Sequence, residues 1–179
     1  FLFMALCEAA TLTLLLLPRR ADDRRVVFIA SDGRGYGGSE TELGALTNAH
    51  VRAAEDVTQA FLNRNPKDFD QPERITLLFE PGAARRARAD CDQETPERQL
   101  RQLQEKAQIT RLQYLEASNH RILFTVQGLL MQSGAFNGQP LVNSLAFQLD
   151  LELVPNPNLT LQAAFPLVVH HYRYEIHPR

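Results

Sequence analysis

Leu145-Ala146-Phe147-Gln148-Leu149-Asp150-Leu151-Glu152-Leu153 alternates strictly between apolar and polar side chains at its odd and even positions, Ala146 apart. Successive side chains of a strand point to opposite faces, so this pattern specifies a strand with one face in a core and the other in water. A one-faced sheet needs partner strands beside it and a cover over its apolar side. Upstream, Arg121 to Gln132 is a second candidate strand, with Ile122, Phe124, Val126 and Leu130 on one face, and Arg111 to Ala117 is another, closed by a turn at Ser118-Asn119. Asn137-Gly138 signals a turn ahead of the deciding stretch, in a loop longer than a minimal hairpin. Downstream, Pro155 to Asn158 is a turn, and Leu159, Leu161, Phe165, Leu167 and Val169 make a last strand broken at Pro166, as at a bulge or an edge. The sum is an antiparallel meander of about four strands from about residue 109 onward.

The cover comes from the residues before it. Ser39-x-x-Glu42 is a capping box, and Leu43, Leu46, Ala53, Ala54, Val57 and Phe61 follow at helical spacing, which predicts a helix over about 41–63 ended by Asn65-Pro66. Asp70-Gln71-Pro72-Glu73 is a second capping signature, with proline in the first turn where its missing donor costs nothing. Ile75, Leu78 and Phe79 face inward on that short helix, and Pro81-Gly82 breaks it. Another short helix is expected over about 82–90, and a further one starts at Thr95-Pro96 with Leu100, Leu103 and Ala107 on one side. Helices first and strands after predict an α+β two-layer domain.

Composition bounds the rest. The 179 residues suffice for one domain with a real core plus an appendage. A net charge of -2 argues against a chain that works as a nucleic-acid clamp, which needs a basic field. The only cysteines, Cys7 and Cys91, lie far apart and in unlike surroundings, which argues against a disulfide framework or a thiol metal site.

Residues 1–17 are nearly all apolar, interrupted by Glu8 and two threonines, and as a helix span roughly 25 Å. A transmembrane helix is the expected reading. A signal peptide lacks a small-x-small site after Leu17, and a buried core helix is the remaining alternative. Arg19, Arg20, Arg24 and Arg25 follow the span, and such residues prefer the cytoplasmic side. The expected division is a membrane helix at 1–17, a juxtamembrane linker at 18–40 and a domain at 41–179.

Two stretches carry a resemblance. Ala60-Phe61-Leu62 through Phe69-Asp70 and then Leu77-Leu78-Phe79-Glu80-Pro81-Gly82-Ala83 are similar to a helix end, an Asp-capped second helix and a Leu-Leu-aromatic-x-Pro break found in TraE-like proteins. These are inner-membrane scaffold components of type IV secretion and conjugation systems. Glu97 to Ala107 followed by Ile109 to Leu115 resembles that family's charged helix leading into its first strand. The turn at Pro155–Asn158 departs from the family's short glycine-containing turn, and the Tyr- and His-rich end is an addition. The resemblance implies a bacterial inner-membrane protein with a periplasmic domain of the nuclear-transport-factor-like fold. It implies self-association into a homo-oligomer, contacts with other channel components, and contact with the bilayer through residues 1–17. It carries over no catalytic residue, and the sequence predicts no catalytic, cofactor or metal site and no specific nucleic-acid contact.

Four motifs touch on other chemistry. Gly33-Arg34-Gly35-Tyr36-Gly37-Gly38 formally matches a dinucleotide fingerprint after the short apolar run Val26–Ala30, with Glu55 and Asp56 near the ribose-binding distance, but those acids fall in helical spacing and no further βαβ unit follows, so a flexible loop over 31–38 is expected. His170 and His171 are strand neighbours that should face opposite sides, and His177 lies roughly 20 Å from His171 along an extended strand, which suits a polar strand end better than a metal site. Asp150 and Glu152, beside Gln148, could do acid–base work on one sheet face, or simply solvate it. Arg85, Arg86 and Arg88 could pair with acids of a partner or stabilise a helix end, and no aromatic residue interleaves with them for nucleic acid. Two rivals to the scaffold reading stand: a ligand-binding or enzymatic domain of the same cone-shaped fold, and a component of another envelope secretion or pilus machine.

Overall fold

The computed structural model describes residues 25–29, 35–39, 47–118, 120–157 and 165–177. Residues 1–17, the capping box at 39–42 with Leu43 and Leu46, and the start of the last expected strand at 159–164 lie outside the fully described residues. Among the described residues no helix is long and apolar enough to cross a membrane.

The chain forms strands β1 (Arg25–Ile29) and β2 (Gly35–Ser39), helices α1 (Thr47–Leu62), α2 (Pro72–Leu78) and α3 (Pro81–Leu100), and strands β3 (Gln104–Ala117), β4 (Ile122–Phe136), β5 (Gln139–Pro155) and β6 (Leu167–His177). The last four make one antiparallel sheet in the order β3-β4-β5-β6. This is the α+β arrangement expected, helices followed by a four-stranded meander, with three helices among the described residues.

Alternation does what it foretold. Ile122, Phe124, Val126 and Leu130 of β4 and Phe147, Leu149, Leu151 and Leu153 of β5 are buried, and Val126↔Leu149 and Phe124↔Leu151 sit opposite one another in register. On α1, Ala54, Val57, Thr58 and Phe61 form a buried stripe that lies on this face. Phe61 is the centre of it. Its ring lies 4.9 Å from Tyr172, 5.6 Å from Tyr174, 6.0 Å from Phe79 and 6.2 Å from Phe69, in tilted or edge-on contacts that suit aromatic quadrupoles. One side chain thereby joins α1, the loop before α2, the end of α2 and β6.

Several expectations need correction. Gly35–Ser39 is no loop: it pairs antiparallel with Arg25–Ile29, Val27 opposite Gly37. The two helices expected at 82–90 and from Thr95 are one, α3, with Pro96 inside it. Proline removes the donor to the Asp92 carbonyl, and one residue earlier the Thr95 hydroxyl and Arg98 Nη2 each donate to the Cys91 carbonyl at 2.8 Å. Leu100 is consequently 69% exposed at the helix end, Leu103 follows it in the turn and Ala107 belongs to β3. The meander starts at Gln104, five residues before the change of period, and its first strand contains bulges between Ile109 and Arg111 and between Tyr114 and Glu116 that scramble the alternation. Asn137-Gly138 is a minimal hairpin after all. Phe136 pairs with Gln139, and the two loop residues take φ of 52° and 74°, the left-handed region a two-residue hairpin demands. Asp70 does not cap α2. Gln71 holds that position without a side-chain bond, while Asp70 pairs with Lys106.

Gly128 has a steric role in this architecture. A β-carbon there would lie 2.2 Å from the Gln108 carbonyl oxygen and 2.7 Å from the Phe147 ring. Backbone cannot step aside cheaply in a central strand. Gly128→Ala is therefore expected to cost about 1–3 kcal/mol, read as a lowered denaturant midpoint with unchanged m-value, whereas an alanine at the unobstructed Gly82 should move the midpoint far less.

Candidate functional site

Polar chemistry in the described residues gathers where α3 meets the inner face of β6. A small-residue stripe, Ala83, Ala87 and Cys91, lets α3 approach the sheet closely, and the same stripe continues to Arg98. Arg64, just past α1, comes in from the other side. It is 2% exposed, and its backbone exchanges two hydrogen bonds with Glu105 of β3, at 3.0 and 2.8 Å.

Both arginines converge on one carboxylate. Arg64 Nη1 donates to Glu94 Oε2, and Arg98 Nη1 reaches the same oxygen at 3.1 Å. Arg64 also donates from Nε to the Phe61 carbonyl at 3.0 Å, and its guanidinium lies 5.0 Å from the Phe61 ring centre and 5.4 Å from that of Phe69. Two buried cations on one half-exposed anion leave donors over: Arg64 Nη2 and Arg98 Nε have no hydrogen-bond partner among the described residues. Glu105, 5% exposed, takes a 2.7 Å hydrogen bond from Gln132 Nε2 instead.

Above this network Tyr172 donates its hydroxyl to Asp90 Oδ2 at 2.5 Å, and Arg86 lies 4.9 Å over its ring. A cleft of about 440 Å³ opens there, lined by Arg86, Asp90, Gln93, Glu94, Glu97, Tyr172 and Tyr174. Burial raises the pKa of both tyrosines, reinforced at Tyr172 by the hydrogen bond to Asp90. Both phenols are thus neutral near pH 7. Burial also pushes the Cys91 thiol up, against the pull of Arg64 and Arg98, so this cysteine is a weak nucleophile in a packed position. A smaller cleft of about 110 Å³ lies between α1, α2 and β3, lined in part by Asn63, Asp70, Arg74 and Lys106.

The residues singled out from sequence fall elsewhere. Asp150 accepts from the Thr125 hydroxyl at 2.7 Å and from Gln148 Nε2 at 3.3 Å, inside a ladder of polar groups on the outer sheet face. Glu152 stands opposite His171 in that ladder. Asp56 is held by Arg74 Nη2 at 2.7 Å on α1, and Glu55 is exposed beside it. Of the clustered arginines Arg85, Arg86 and Arg88, only Arg86 reaches the cleft, while Arg88 donates to the Pro72 carbonyl at 3.1 Å and Arg85 is exposed. His170 and His171 have different neighbours, His170 pairing with Glu80 and His171 standing opposite Glu152. The register shifts between Glu152 and Leu153, so that His171 pairs with Glu152 and Val169 with Leu153, which makes His170 the extra residue of a bulge and leaves both histidines exposed. Among the described residues no group of three or more His, Cys, Asp or Glu side chains is placed to hold a metal.

Sequence reasoning missed Arg64, Glu94, Arg98 and Glu105. The available signal was helical spacing: Ala83, Ala87, Cys91, Glu94 and Arg98 form one stripe only if the helix runs through Pro96. With the structure in view, the chain matches no family model, no curated protein and no solved structure.

Glu94→Gln removes the one acceptor shared by two buried guanidinium groups. Because Glu94 is itself 44% exposed, the loss in unfolding free energy should be about 1–2 kcal/mol rather than the larger figure for a fully buried pair. The Glu80 carboxylate accepts from His170 Nδ1 at 2.7 Å, and this hydrogen bond, together with the charge on Glu80, raises the His170 pKa above its ordinary 6.5. A raised folded pKa means the pair stabilises fully below pH 6.5 and loses its contribution as pH climbs through the folded value. An NMR titration should place His170 above 6.5, and Glu80→Gln should return it towards that value.

Proposed function

We propose that this chain is a non-catalytic scaffold component of a type IV secretion apparatus. In this reading residues 1–17 hold it in the bacterial inner membrane, and its α+β domain, of the nuclear-transport-factor-like type, stands in the periplasm. It acts by self-association and by contacts with other channel components. The observation that supports the reading best is the filled space between helices and sheet. In a cone-shaped fold that binds a ligand, polar groups line the concave face; here that face carries Phe124, Phe147, Leu149, Leu151 and Leu153, each at most 3% exposed, under Phe61. Interior area spent on apolar burial makes a rigid body, and a rigid body serves assembly.

A second reading, a ligand-binding domain, draws on the cleft between α3 and β6, where two neutral phenols, three carboxylates and Arg86 share about 440 Å³. Purification of the full chain from membranes in mild detergent separates the two. The scaffold reading expects an oligomer that brings secretion components with it. A lone monomer that instead gains thermal stability from a small molecule, with the gain removed by Tyr174→Phe, favours the second reading and defeats the first.

A further inference from the structure

The sheet has two edges, and they are built differently. The β3 edge is broken by two bulges, and its start is occupied by Arg64, whose backbone bonds to Glu105. Such interruptions keep an edge from recruiting another strand. On β6 the only bulge is at His170, next to Val169, whose carbonyl accepts from Glu80 N–H at 3.0 Å. From His171 to His177 the strand runs without a break, in regular register with Glu152 to Ala146, and no described strand pairs with its outer side.

We infer that this seven-residue edge is a self-association surface on which a second copy of the chain adds its own β6, antiparallel, across a two-fold axis through Tyr174. The proposal rests on the self-association part of the proposed function. Charge selects the register. Opposed residues of an antiparallel pair share a face, so the axis must pass through a residue. An axis at Arg173 sets Arg173 against itself, and one at Glu175 sets two carboxylates together. An axis at Tyr174 sets Arg173 opposite Glu175 of the second copy twice over and puts Tyr172 opposite Ile176, which is 37% exposed in the single chain. Arg173 and Glu175 lie on the outer face, where Arg173 is 71% exposed and already reaches Glu175 along its own strand at 2.5 Å. Because the axis stands normal to the sheet, both helical layers remain on one side of a continuous eight-stranded sheet.

Sedimentation of the full chain over a dilution series, with amide hydrogen exchange read at each concentration, tests this. The wild-type chain should dimerise, and amides within 171–177 should exchange faster once dilution separates the copies. Arg173→Glu or Glu175→Arg alone sets like charges opposite each other twice and should raise the dimer Kd about tenfold, and the two changes combined should restore it. A dimer whose β6 exchange ignores dilution, or a combined variant no better than the single ones, overturns the interface while leaving the scaffold reading in place. A chain that stays monomeric throughout removes both.

Discussion

The Arg64 guanidinium lies against the Phe61 and Phe69 rings, is hydrogen-bonded to the carbonyl at the end of α1 and paired with a carboxylate on α3, while its own backbone is bonded to β3. Side chain and backbone together tie α1, α3 and β3 at this one residue. A buried charge is tolerated only with partners, so each contact of Arg64 constrains a different element: α1 must end where it does, α3 must present Glu94, and β3 must begin early enough to meet it. The aromatic cluster around Phe61 can close only when these positions hold, since Phe61 is three residues upstream on the same turn of chain.

That dependence explains which parts of the fold were legible in the sequence. Strands β4 and β5 lie in the middle of the sheet with one face buried and the other polar, so their period-2 pattern is nearly undisturbed, and Leu149 and Val126 could be placed without coordinates. Edge strands obey other demands. Two bulges in β3 put Thr110 and Leu115 out of register and another in β6 does so for His170, so strict alternation is interrupted at both edges for one reason. Helix α3 was hidden by Pro96, because the local rule that proline ends helices does not hold here: the helix runs from Pro81 to Leu100 with the proline inside it. The polar cluster was illegible for a related reason: Arg64, Glu94 and Glu105 are far apart in sequence, and nothing local distinguishes them from surface charges.

The same arrangement bears on what kind of protein this is. An apolar interior joined by one buried ion network resists deformation, so force or binding at one surface moves the domain as a body. The single large cleft among those described lies outside that interior, at the junction of α3 and β6, and is walled by the tyrosines that also close the Phe61 cluster. Occupying or deforming it therefore acts on β6.

Strand β6 thus stands where two separate features meet. Its inner face carries Tyr172 and Tyr174 in contact with Phe61, and its outer side is the uninterrupted edge with alternating Arg173 and Glu175. Arg86 and Asp90 hold Tyr172 from above, which fixes the strand's height against α3 and with it the line of the edge. An edge must be straight and rigid to accept a partner strand over seven residues, because each residue out of line forfeits a ladder bond. The interior tyrosine contacts supply that rigidity, so association through β6 and the integrity of the α3 contact are two consequences of the same buried ring cluster.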